Sequence, residues 1–107
     1  MKHLTRQEIL ILLSVYHLKD KAYLVTVRKY LIEVTGRSWS VGAVYVPLNR
    51  LEKLGYLDAV IGEPNAVRGR NQIKYYRLTK QSFEALEEMK RVNEALWSGF
   101  SELAYNL

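Results

Sequence analysis

Apolar residues at Leu24, Val27, Leu31 and Val34 recur at three- and four-residue steps, the spacing of one helix face. Gly36 follows as a stop. Upstream, Thr5-Arg-Gln-Glu8 is a capping box, which predicts a helix from about Arg6 to His17. That segment is apolar on nearly every side, so the pattern predicts burial on more than one face. One face suits the domain core. The other, with Leu10 and Leu13, suits a partner subunit.

The stretch SVGAVYVPLNRLEKLGYL, residues 40–57, reads as a third helix. Ser40 can cap its start and Gly55 can end it in a left-handed conformation. Val44, Leu48 and Leu51 share one side, and Gly42, Val46, Asn49 and Lys53 share the other. Pro47 breaks the pattern: it removes a hydrogen bond and collides with the carbonyl of Ala43, a fault of roughly 3 kcal/mol in a helix interior. Two readings of it stand side by side. Pro47 either bends the helix so as to aim its first turns, or marks a local irregularity without functional meaning. Two helices joined by a short Gly-containing link form the helix-turn-helix pattern.

Next, Tyr56–Gly62 and Ile73–Leu78 read as strands around a tip, NAVRGRNQ at 65–72. A two-stranded hairpin is unstable alone, so it must lie on the helices. Thr79 can cap a last helix over about 80–105. Leu86, Asn93, Phe100 and Leu107 are seven apart, and Met89, Leu96 and Leu103 follow three residues after the first three, making an a/d seam. Trp97 widens it. The seam exceeds what one small body can cover, which predicts dimerisation through Leu86, Met89, Asn93, Leu96, Trp97, Phe100 and Leu103, with Asn93 fixing register. A stripe folded back on its own domain is the alternative. The order of elements predicts a mainly α (α+β) winged helix-turn-helix. The expected division is a winged-helix DNA-binding domain over residues 1–79 and a dimerisation helix over 80–107 packed on the same domain.

The chain has 107 residues, enough for one domain with a core. Residues 1–80 hold 14 Lys/Arg against 6 Asp/Glu, a net +8, and residues 81–107 hold 2 against 5, a net −3. A basic body with an acidic tail points to a polyanion for the body alone, with ordinary solubilising charge as the alternative. The absence of cysteine excludes disulfides and thiolate metal sites and suits a reducing cytoplasm. The longest apolar run, Ile9–Leu13, is far below a membrane span, and polar residues at 3–8 interrupt any signal-peptide core. The expectation is therefore a cytoplasmic chain without membrane contact. His3 and His17 stand apart, and no phosphate-cradling glycine loop or metal-ligand cluster is visible, so no enzyme, metal or cofactor is expected.

The stretch Glu8–Thr79 resembles the PadR-like transcriptional regulators. The carriers are EILILLSVY (8–16), SVGAVYVPLNRLEKLGYL (40–57) and KYYRLT (74–79). Tyr45, Leu48, Arg50, Leu51, Glu52 and Gly55 match the family's recognition-helix motif, and Tyr75, Tyr76, Arg77, Leu78 and Thr79 match its strand before the tail. The proline is displaced by one position, with Val46 between it and Tyr45. The tail is similar to that of the short-tailed members. The resemblance implies a homodimeric repressor on a double-stranded DNA operator. It also implies a pocket for a small flat hydrophobic inducer at Trp97 and Phe100, although plain interface packing explains those aromatics too.

A helix entering the major groove needs a small-residue N-terminal end with polar reach beyond it. Ser40, Gly42, Ala43, Tyr45, Val46 and Asn49 fit that demand, although a tyrosine also fits a core with its hydroxyl wet. Lys53 and Arg50 suit phosphates, with Arg50 alternatively the partner of Glu52 or another acidic neighbour. Arg68, Arg70 and Lys74 suit phosphate or minor-groove contact from the wing, unless the tip is a solvated turn. Arg28 and Lys29 are weaker candidates. The competing class is a winged-helix module that binds another protein rather than DNA.

Overall fold

The computed structural model describes residues 4–62 and 72–101. Helix α1 spans Arg6–Leu18, and a single 3₁₀ turn at Lys19–Lys21 follows. Helix α2 is Leu24–Thr35, and α3 is Val41–Lys53. Strands β1 (Leu57–Ile61) and β2 (Lys74–Leu78) pair antiparallel, and α4 covers Lys80–Trp97. This is the element order expected of a mainly α winged helix.

The local signals act as chemistry requires. Thr5 Oγ1 accepts from the Glu8 N–H at 3.1 Å, and the Glu8 carboxylate accepts from the Thr5 N–H at 2.8 Å, closing the capping box. Gly36 ends α2 at φ +68°, a left-handed conformation that costs an L-residue its Cβ clearance. Gly55 turns the chain out of α3 at φ +87°.

Three helices and the hairpin share one core. Ile11, Leu12 and Val15 of α1 meet Val27 and Leu31 of α2, Val44, Leu48 and Leu51 of α3, and Leu57 and Tyr76 of the sheet. Each fully buried aliphatic side chain contributes about 1.5–3 kcal/mol. In the sheet Leu57 faces Leu78, Ala59 faces Tyr76 and Ile61 faces Lys74. Alternation turns Leu57 and Tyr76 inward, while Asp58 and Arg77, directly opposed, stay exposed. The backbone N–H of Tyr76 also bonds the Ala22 carbonyl at 2.8 Å, so the link between α1 and α2 lies along the free edge of β2.

Helix α4 departs from the expected 80–105. It begins at the Thr79 cap, where the hydroxyl accepts from the Ser82 N–H at 3.2 Å. It stops at Trp97, because Ser98 turns extended (ψ 129°) and Gly99 takes φ +79°. Phe100 is therefore off the helix, and Leu103 lies outside the described residues. The heptad spacing of the sequence is blind to this break, since Ser and Gly occupy positions outside the seam but weaken the backbone there. The start of α4 packs on the body through buried Ser82, half-buried Ala85 and Leu86, and Phe83 against Tyr16.

Candidate nucleic-acid interface

The first turn of α3 is held from behind by α2. Ser40, in an extended conformation, accepts the Ala43 N–H at 3.0 Å and caps the helix. The residue before it, Trp39, is buried, and its indole N–H donates to Thr35 Oγ1 at 3.0 Å. Arg28 Nε donates to the Trp39 carbonyl at 2.6 Å, and the Arg37 guanidinium lies 5.4 Å from the Trp39 ring. Thr35 in turn donates to Leu31 in α2 at 2.7 Å. This cluster sets where α3 begins.

With that end fixed, Ser40, Val41, Gly42 and Ala43 face solvent. Tyr45 and Val46 are 50% and 62% exposed on the same side. Tyr45 is thus a surface residue and not part of the core. Lys53 is exposed and Asn49 half-buried. A shallow concavity of about 440 Å³ runs along Val46, Asn49, Arg50 and Lys53. The opposite side of the helix, Val44, Leu48 and Leu51, is fully buried. The surface therefore offers a narrow small-residue tip with polar and methyl groups beyond it, the shape a major groove admits.

Two expected phosphate contacts are engaged elsewhere. Arg50 pairs with the Glu8 carboxylate, which is almost wholly buried. A buried carboxylate left unpaired is strongly destabilising, so Arg50 has taken the acidic neighbour and is not a free clamp. Lys74 Nζ lies 2.7 Å from Glu52 Oε1 and 5.6 Å from the Tyr76 ring. The hydrogen bond to Glu52 holds the Lys74 pKa above its ordinary value. Lys74 thus ties the base of the wing to α3. Arg68 and Arg70 lie outside the described residues. Lys29 is exposed on α2, while Arg28 serves the turn.

The sequence reading missed Trp39 and Thr35. A tryptophan immediately before a serine cap, four residues after a threonine at a helix end, was a signal in reach.

A second surface lies between α1 and α4. It is a groove of about 750 Å³, walled by Leu13, Tyr16, Phe83, Leu86, Met89 and Trp97, with Asn93 on its α4 side. Tyr16 meets Phe83 edge-on at 6.3 Å, and Trp97 meets Phe100 edge-on at 5.0 Å. Leu13 is 40% exposed, Leu96 76% and Trp97 62%. Leu10 is half-buried against the chain's own core, which leaves less of it for a partner than of Leu13. Among the described residues no three His, Cys, Asp or Glu side chains are grouped to hold a metal ion. No described helix is long and apolar enough to cross a membrane.

Three core helices, a two-stranded wing and a projecting fourth helix define a winged helix-turn-helix. No protein-family model matches the chain, and no curated protein matches it. Solved structures do. A PadR family transcriptional regulator from Eggerthella lenta shares 26% identity over 92% of this chain and 84% of its own, with a TM-score of 0.69. A PadR family regulator from Clostridium difficile shares 26% over 90% of this chain and 98% of its own, at 0.64. A PadR-like regulator from Bacillus cereus shares the fold at 22% identity over 92% and 89%, at 0.63. The chain is PadR-like, being similar in fold and sequence to PadR family transcriptional regulators.

Proposed function

We propose that the chain is a sequence-specific DNA-binding transcriptional regulator, acting as a homodimeric repressor. The observation that carries this reading is the first half of α3. Its small-residue tip is exposed, its start is clamped to α2 through Trp39, and exposed Tyr45, Val46 and Lys53 and half-buried Asn49 lie beside it. In this reading α3 enters the major groove, with Ser40, Tyr45 and Asn49 reaching bases or backbone and Val46 meeting a thymine methyl. Lys53 meets phosphate, and the wing residues Arg68 and Arg70 meet the backbone or minor groove.

The apolar groove between α1 and α4 supports dimerisation, because Leu13 and Trp97 in its walls, and Leu96 outside them, are exposed large apolar side chains. In the dimer Trp97 and Phe100, which meet edge-on at 5.0 Å, would form the wall against which a flat hydrophobic inducer lies. Residues 1–79 then act as the DNA-binding unit and 80–107 as the dimerisation segment.

Fluorescence anisotropy tests this reading. The purified protein is titrated into labelled duplex from upstream of its own gene and into a scrambled duplex, across a salt series. Preferential binding with a steep salt slope supports a regulator. Equal weak binding to duplexes tiled across the whole neighbourhood favours the protein-interaction alternative, for which exposed Val41 and Val46 on α3 would be the contact.

A further inference from the structure

Helix α3 runs unbroken through Pro47, yet proline has no N–H to give to the carbonyl of Ala43. The two halves of the helix are therefore joined by one fewer hydrogen bond than a regular helix supplies. Each half is fastened to the body separately. The first half is fixed at Trp39–Ser40 by Arg28 and Thr35 of α2. The second is fixed by Arg50 to Glu8 of α1, and by Glu52 to Lys74 of β2.

Of the anchors on the second half, Glu8 is the most buried. Its side chain is 4% exposed, and that of Arg50 is 46% exposed. One Glu8 oxygen closes the α1 capping box on the Thr5 N–H, and the other takes Arg50. The carboxylate is thus immobilised by α1 before it reaches α3. Its charge-assisted bond is directional, unlike the apolar contacts of Leu48 and Leu51 beside it.

We propose that Arg50 and Glu8 are a positioning pair that sets the angle between the two halves of α3 at Pro47. The pair thereby aims Asn49 and Lys53 relative to Ser40–Tyr45. The proposal rests on the DNA-binding reading and assigns Arg50 no contact with DNA. It also answers why a recognition helix keeps a proline in its interior: the bearing of its second half is set from outside, by α1.

The test compares E8Q, R50M, P47A and the doubles E8Q/P47A and R50M/P47A by anisotropy on the preferred duplex across a salt series. Glutamine still closes a capping box, so E8Q removes the charge and keeps α1 capped. Both single variants at the pair are expected to lose about tenfold in affinity, the scale of one charge-assisted bond. Their salt slopes stay those of the parent, because no phosphate contact is removed. P47A restores the missing backbone bond, so the helix itself fixes the bearing of its second half and each double recovers most of the loss.

If R50M lowers the salt slope by about 1 while E8Q binds like the parent, Arg50 is a phosphate contact and the proposal falls. If the losses persist undiminished in the doubles, the pair does not act through the angle at Pro47, and the proposal falls. If the unaltered protein prefers no duplex, the DNA-binding reading falls, and amide hydrogen exchange decides the pair. Faster exchange over residues 49–53 in E8Q, restored in E8Q/P47A, supports it, and unchanged exchange overturns it.

Discussion

Lys74 Nζ lies 2.7 Å from Glu52 Oε1, so the returning strand of the wing is tied to the last turn of α3. The same ammonium sits 5.6 Å from the Tyr76 ring, whose edge of the sheet is in the core. The base of the wing and the last turn of α3 are thereby joined, and the joint is ionic and titratable.

The alkaline limit of stability follows from this joint. The hydrogen bond to Glu52 raises the Lys74 pKa from 10.5, and burial raises that of Tyr76 from 10.0. Both folded values lie above the unfolded ones. The contributions are therefore complete below about pH 10 and are lost as pH rises through the folded values. Lys74 is 39% exposed, so solvent screening keeps its share small. Urea unfolding between about pH 8 and pH 12 is expected to show a steeper loss above about pH 10 than Y76F or K74M shows. A parent curve that matches both variants would contradict the assignment.

Gly36 gives a test of the turn. It stands at φ +68° with nothing within 4 Å of a built Cβ, so strain and not collision governs substitution. G36A is expected to cost about 1 kcal/mol, and G36N less, since asparagine tolerates the left-handed region. Thermal unfolding ranks the three. Equal stability of G36A and the parent would contradict the strain argument.

The clamp behind α3 predicts a variant that folds but binds poorly. T35V removes the acceptor of the Trp39 indole and the donor to Leu31, at a cost of about 1–3 kcal/mol. Its loss of DNA affinity is expected to exceed that of V34A, a change at an exposed neighbouring site. The anisotropy assay compares them, with circular dichroism confirming that both variants are folded.

For the groove, L13D and W97A are expected to shift the protein from dimer towards monomer. L13D has the larger effect because it places a charge in an apolar wall. Sedimentation equilibrium at several loading concentrations reads the change. An unaltered parent that sediments as a monomer throughout would contradict the dimer.

Much of the fold was legible because its signals are local. Thr5 with Glu8, Ser40, Gly36, Gly55 and Thr79 each mark an end through a bond or conformation that only certain residues supply. The core face of α3 was legible too, since Val44, Leu48 and Leu51 repeat at the helical period. What the sequence hid was non-local. Nothing in the spacing of Glu8 and Arg50, 42 positions apart, says that they meet. The same holds for Glu52 and Lys74, so Lys74 reads as a phosphate or minor-groove contact, and Arg50 as a phosphate contact or the partner of Glu52 or another acidic neighbour that the sequence does not single out. The end of α4 was hidden for a different reason. The heptad pattern records side chains, whereas Ser98 and Gly99 break the helix through the backbone.

The most direct test of the account compares N49A and K53A on the preferred and the scrambled duplex across a salt series. If α3 reads DNA, N49A reduces the preference between duplexes by roughly 1–3 kcal/mol and leaves the salt slope unchanged. K53A weakens both duplexes alike and lowers the slope by about 1. Parental affinity, preference and slope in both variants would contradict the claim that this helix is the DNA-reading element.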